Sequence, residues 1–101
     1  MKTEITINGN VARAVLDGRL DTASAVQCEK DLQPLKDFSD KEIVIDCSHL
    51  EYISSSGLRL FLALRKDVQA KGGQLVVEHI SEDIRQVFTI TGFFKLFDIR
   101  P

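Results

Sequence analysis

The chain has 101 residues, 13 Lys and Arg against 15 Asp and Glu, and a formal net charge of −2. Apolar residues make up 44% and charged ones 28%, a balance that suits a folded globular domain and excludes intrinsic disorder. With no Trp, one Tyr and no basic run longer than Arg65-Lys66, it lacks the basic, aromatic-studded surface of a nucleic-acid binder.

Thr3-Glu4-Ile5-Thr6-Ile7 alternates polar and apolar residues, the pattern of a half-buried strand. Asn8-Gly9-Asn10 supplies residues that tolerate positive φ, as a hairpin turn requires. The return strand runs from Val11 to Leu16, with Val11, Arg13 and Val15 on one face and Ala12, Ala14 and Leu16 on the other. Gly18 and Asp21 close this segment. Asp21 or Thr22 caps a first helix reaching about Leu35, on which Ala25, Cys28, Leu32 and Leu35 have helical spacing. Ile43-Val44-Ile45 has no polar face, which predicts a central strand covered by helices on both sides.

A second helix covers Gly57 to Ala70 and is ended by Gly72-Gly73. Leu58, Leu60, Phe61, Leu62, Leu64 and Val68 form its apolar side, leaving Arg59, Ala63 and Lys66 on a narrow face. Gln74 to Glu78 is a further strand. Ser81-Glu82-Asp83 opens a third helix with a capping hydroxyl and two acids at the positive end of the dipole. Ile84, Val87, Phe88 and Thr91 share one face of it, Gly92 stops it, and a short closing strand fits near Phe97 to Ile99. The order β-β-α-β-α-β-α, with that closing strand, predicts an α/β fold: a small mixed β-sheet with helices packed on it. A chain of this length reads as one domain, 1–101, since two halves could not each enclose a core.

The polar segment from Asp46 to Leu58 starts at the end of the central strand and finishes in the first turn of the second helix. The carboxyl ends of parallel strands are where α/β sheets build their sites. Ser54-Ser55-Ser56 offers an N-cap. It also places a hydroxyl at a helix N-terminus, where free amides and the dipole favour an anion such as a phosphate. Arg59 is four residues beyond Ser55, within reach of it along a helix.

Enzyme patterns are missing: there is no G-x-S-x-G, no phosphate-binding loop, and His49 and His79 stand alone. Asp46 and Glu51 read as solvated loop acids, so no catalysis is expected. Cys28 and Cys47 have no CxxC spacing and read as reduced, buried apolar residues, with neither metal nor cofactor implied. Phe88, Phe93, Phe94 and Phe97 read as a buried aromatic cluster. No apolar run approaches the ~20 residues of a membrane-crossing helix. Met1-Lys2-Thr3-Glu4-Ile5 has no apolar h-region, so a cytoplasmic location is expected. Nothing demands an oligomer, and a monomer is expected.

The element order and the stretch from Asp46 to Leu64 resemble the STAS domain of bacterial anti-sigma factor antagonists, whose central strand leads into D-S-[ST]-G-L. Gly18-Arg19-Leu20-Asp21 is similar to that family's G-x-[LI]-D before the first helix. Lys71-Gly72-Gly73-Gln74-Leu75 resembles its glycine turn, and Thr91-Gly92-Phe93-Phe94-Lys95-Leu96-Phe97 its T/S-G-L/F-x-K-x-F ending. The resemblance implies partner switching. The unphosphorylated antagonist binds an anti-sigma factor serine kinase, phosphorylation releases it, and a metal-dependent PP2C-type serine phosphatase reverses the change.

Carried onto this sequence, the phosphoacceptor is Ser55, with Ser54 and Ser56 as alternatives. The partner-binding residues are Asp21, Ser54, Ser56, Gly57, Arg59, Ala63 and Lys66; neither nucleic acid nor membrane is a partner. The chain departs from the pattern twice. Ser54 stands where the family has Asp, and Arg59 where it often has a small residue. Those departures keep a second reading open, a STAS scaffold subunit of a lipid-transport or signalling complex with no switch.

Overall fold

Gly9 takes a φ of 61° at the tip of the first hairpin, where Asn8 pairs with Val11 and only two residues make the turn. Positive φ at the first of two turn residues matches the right-handed twist of the flanking strands. From this hairpin the computed structural model, which describes residues 1–101, builds a five-stranded sheet. The strands are β1 (Lys2–Asn8), β2 (Val11–Leu20), β3 (Glu42–Ile53), β4 (Gln74–Glu78) and β5 (Asp98–Arg100). Their spatial order follows the sequence, with β1 antiparallel to β2 and all later pairs parallel. The helices are α1 (Thr22–Asp31), α2 (Ser55–Lys71) and α3 (Glu82–Thr91). This is the mixed α/β arrangement the patterning predicts, closing strand included.

The alternation on β2 places Ala12, Ala14 and Leu16 inward, each 0% exposed. One core unites them with Ile43, Ile45 and Cys47 of β3, Leu75 and Val77 of β4, and buried residues of all three helices. The helices therefore lie on one side of the sheet, not on both as the Ile43-Val44-Ile45 run suggested. Val44 and Val76 point the other way yet are only 5% and 0% exposed. The register sets them on that face among Arg13, Glu42, Gln74, Glu78 and Arg100, long polar residues whose aliphatic stems cover apolar surface while their heads stay wet. That cover, rather than a second helical layer, is why β3 tolerates a continuous apolar run.

Arg13 organises this open face. Its Nη2 lies 3.0 Å from Asp46 Oδ2 and its Nη1 2.7 Å from Glu78 Oε1, so one guanidinium ties together β2, β3 and β4. Asp46 Oδ1 also accepts the Ser48 amide at 2.9 Å. Just there β3 slips against β2, since Val15 pairs with Asp46 but Asp17 pairs with His49. The extra residue of β3 bulges out, the carboxylate secures it, and the strand continues to Ile53. Asp46 is thus a 9%-exposed strand residue and not a solvated loop acid. Gly18, with φ 108°, does not end β2 but sits at a second register shift, where Gly18 pairs with Leu50 and Arg19 with Tyr52, the extra residue again lying on β3. Positive φ at a glycine lets a strand kink without stopping.

Burial pushes the Asp46 carboxyl up, but the Ser48 amide and the Arg13 guanidinium outweigh it and hold the pKa below the ordinary value. A carboxyl held low stabilises the fold above its unfolded pKa, ~3.9, and loses that contribution as pH falls through the lower folded value. Asp46→Asn is therefore expected to cost about 1–2 kcal/mol at pH 7. The gap from the unsubstituted chain should narrow when the pH is lowered from 7 to below the unfolded value of ~3.9. Urea unfolding at both pH values checks this, and an equal loss at each would sink the ion-pair account.

The end of the first helix and the apolar side of the second also differ from the patterning. The first helix stops at Asp31 because Pro34 has no amide to continue the ladder, and a 3₁₀ turn over Gln33–Phe38 follows with Leu35 still fully buried. Leu62 is 37% exposed on the outer side of α2, so the apolar stripe there is narrower than predicted. The phenylalanine cluster forms with Phe94 only half-buried at its edge: Phe93 stands 5.5 Å from Phe88 and 5.3 Å from Phe97, and Phe61 lies edge-on 6.2 Å from Phe88. Cys28 and Cys47 are free and buried, and burial pushes the Cys47 thiol up to about 12, which keeps it neutral.

Candidate functional site at the paired helix N-termini

The ends of β2 and β3 deliver two helices side by side. The Ser54 amide donates to the Leu20 carbonyl at 2.8 Å, joining the residue before one N-cap to the other N-cap itself. Asp21 caps α1: its Oδ1 accepts the Ser24 amide at 2.9 Å, and Ser24 Oγ accepts the Asp21 amide at 2.9 Å. The Ser24 amide chiefly holds the Asp21 carboxyl below its ordinary pKa. Ser54 caps α2 from an extended conformation, its Oγ accepting the Gly57 amide at 3.2 Å. No acid occupies the first turn of α2, so the positive end of its dipole has no charged neighbour within that turn.

Ser55 is the first helical residue and is exposed, whereas Ser56 is half-buried. Gly57 is buried because the helix starts in contact with the sheet. A Cβ there would lie 2.7 Å from Leu20 Cγ and 2.9 Å from Ile53 Cγ1. Only a glycine lets α2 begin that close.

Between α1 and α2 runs a groove of about 390 Å³, and Ser56, Arg59 and Ala63 line one wall of it. Ala25, Leu60 and Leu64 give it an apolar floor. Arg59 is exposed and takes part in none of the fold's five ion pairs. The structure thus brings together Ser54, Ser55, Ser56, Gly57 and Arg59 at one helix end, with Asp21 at the adjoining one. Lys66 is exposed but outside the groove, eleven residues and about 16 Å along the helix from Ser55. No three metal-ligating side chains converge anywhere in the fold.

One pair escaped the sequence reading. Arg19 and Tyr52 are opposite each other in the β2–β3 register, and the guanidinium lies 4.3 Å from the ring centroid. Their residue types alone gave no signal. Only the strand pairing, set by the two register slips that follow Asp46 and Leu50, makes them neighbours.

The STAS domain family model matches residues 2–101. The chain belongs to the STAS domain family. Its relatives include BtrV of Bordetella bronchiseptica, named provisionally as an anti-sigma factor antagonist, at 36% identity over 85% of this chain and 74% of BtrV. The anti-sigma-B factor antagonist of Bacillus subtilis is 29% identical over 98% of this chain and 90% of its own length. Solved structures share the fold. An anti-sigma factor antagonist from Thermotoga maritima, also provisionally named, has a TM-score of 0.89 at 19% identity, covering 98% of this chain and 86% of that one. The phosphorylated form of the Bacillus cell fate determinant SpoIIAA has a TM-score of 0.74 at 19% identity, covering 97% and 90%.

Proposed function

We propose that this STAS domain is an anti-sigma factor antagonist that binds an anti-sigma factor serine kinase when unphosphorylated and is released when Ser55 is phosphorylated. The observation that carries the reading is the division of labour among three adjacent serines. Ser54 is committed to capping α2, Ser56 lies half-buried on a groove wall, and Ser55 alone is exposed on the first turn. Relatives named as antagonists support the partner, and a same-fold protein solved in a phosphorylated form supports the modification.

Ser54 caps α2 by hydrogen bonding to the Gly57 amide, so the missing charge of the family's Asp does not unmake the loop. Asp21, Ser54, Ser56, Gly57, Arg59 and Ala63 surround the acceptor in this reading, and Lys66 extends the surface along α2. A PP2C-type serine phosphatase restores the binding form. The chain acts as one unit without catalysis of its own, as a cytoplasmic monomer; no helix is long and apolar enough to cross a membrane.

Incubation with the host's anti-sigma factor kinase and ATP, followed by mass mapping, tests the assignment. One phosphate is expected on Ser55 and none on Ser55→Ala. Full incorporation into Ser55→Ala would move the acceptor to Ser54 or Ser56. No incorporation at any serine would favour the non-switched scaffold.

A further inference from the structure

We propose that Arg19 and Tyr52 form a preassembled contact plate beside the switch serine, which grips a carboxylate flanked by an apolar side chain on the protein partner. This rests on the partner-switching reading and adds two residues that it does not contain. Leu20 and Ile53, the next residues along each strand, are 0% and 4% exposed and point into the core. Strand alternation therefore turns Arg19 and Tyr52 outward, where Tyr52 is 40% exposed. Neither is needed to fill the interior.

Their position makes them part of the same surface. Tyr52 precedes Ser55 by three residues, so the two Cα atoms lie within about 11 Å. Arg19 precedes the Asp21 cap by two, and the Leu20–Ser54 hydrogen bond clamps the two strand ends together. The plate thus continues the N-terminal end of α2 on the side away from the α1–α2 groove.

The chemistry of the pair specifies what it accepts. A guanidinium stacked on a ring keeps its N–H donors free in its own plane, where they match a carboxylate. Arg19 enters none of the fold's ion pairs, and its acidic neighbour Asp21 is engaged by Ser24. The ring offers apolar area, and aromatic and Arg side chains are those most often found at interface hot spots. Because stacking already orders both side chains, little conformational entropy is lost when a partner closes over them.

The test is binding of the full chain to its host anti-sigma factor kinase, measured for plate variants whose urea midpoints are unchanged. Tyr52→Ala should weaken binding about thirtyfold, whereas Tyr52→Phe should stay within about threefold. Arg19→Glu should weaken binding more than Arg19→Ala, and the Arg19→Ala deficit should shrink with added salt. Binding of Tyr52→Ala and Arg19→Glu within about threefold of the unsubstituted chain would overturn the plate while leaving the phosphoserine switch intact. If the unsubstituted chain neither binds the kinase nor receives phosphate from it, the partner-switching reading falls and the plate falls with it.

Discussion

Ser55→Glu, or phosphorylation of Ser55, is expected to weaken binding to the anti-sigma factor kinase about a hundredfold or more. The same change should leave the isolated domain as stable as before, or up to about 1 kcal/mol more stable. The opposite signs have one cause. At the N-terminus of α2, free amides and the dipole welcome a negative charge, and no acid in the first turn repels it. Arg59, one turn further on and unpaired, adds to that welcome.

Against a partner surface the same charge must be desolvated, and a phosphate adds −1.5 to −2 to a chain whose net charge is only −2. Several kcal/mol of mismatch at an interface is enough to switch binding off. Calorimetric titration with the kinase, paired with urea unfolding of the free domain, separates the two effects. A Ser55→Glu protein that lost binding because it was unfolded would contradict this account, as would one that bound normally.

Gly73→Ala is expected to destabilise the domain by about 3 kcal/mol or more, whereas Gly72→Ala should cost about 1–2 kcal/mol. The two neighbours are glycine for different reasons. Gly72 ends α2 at φ 79°, and a Cβ there would meet nothing within 4 Å, so its penalty is that of a left-handed backbone alone. A Cβ at Gly73 would press on the Ser39 carbonyl oxygen and lie 2.6 Å from that of Lys41. Those are backbone atoms next to the Gln74–Lys41 hydrogen bond that starts the β3–β4 pairing, and they have no rotamer with which to give way. Since domains of this size hold only about 5–15 kcal/mol in total, the Gly73 loss would show plainly in a urea midpoint. A smaller loss at Gly73 than at Gly72 would reverse the assignment.

Much of the fold was legible because local rules and tertiary packing agreed. The hairpin at Gly9, the Ser81 cap and Gly92 stop of α3, and the inward run Ala12, Ala14 and Leu16 all appear where their residue types put them. The first helix was read too long, since apolar spacing continued through Leu35 while Pro34 broke the hydrogen-bond ladder. β3 was read too short. Its last residues look polar because they edge a sheet past a bulge, and a bulge has no period to detect.

For the site, the sequence by itself located the serine run at the start of a helix. That signal is local, since a capping hydroxyl acts over a few residues, whereas the bar on a Cβ at Gly57 comes from Leu20, 37 positions away, and from Ile53. The resemblance put Ser55 ahead of Ser54 and Ser56, but the residue types do not separate the three, because their differing exposure depends on how α2 seats against Leu20 and Ile53. Nor could the sequence foresee that Arg13 would bridge Asp46 and Glu78, or that Arg19 would lie on Tyr52. Each of those contacts joins residues more than thirty positions apart, and the register of parallel strands, fixed by the whole core packing at once, decides which of them meet.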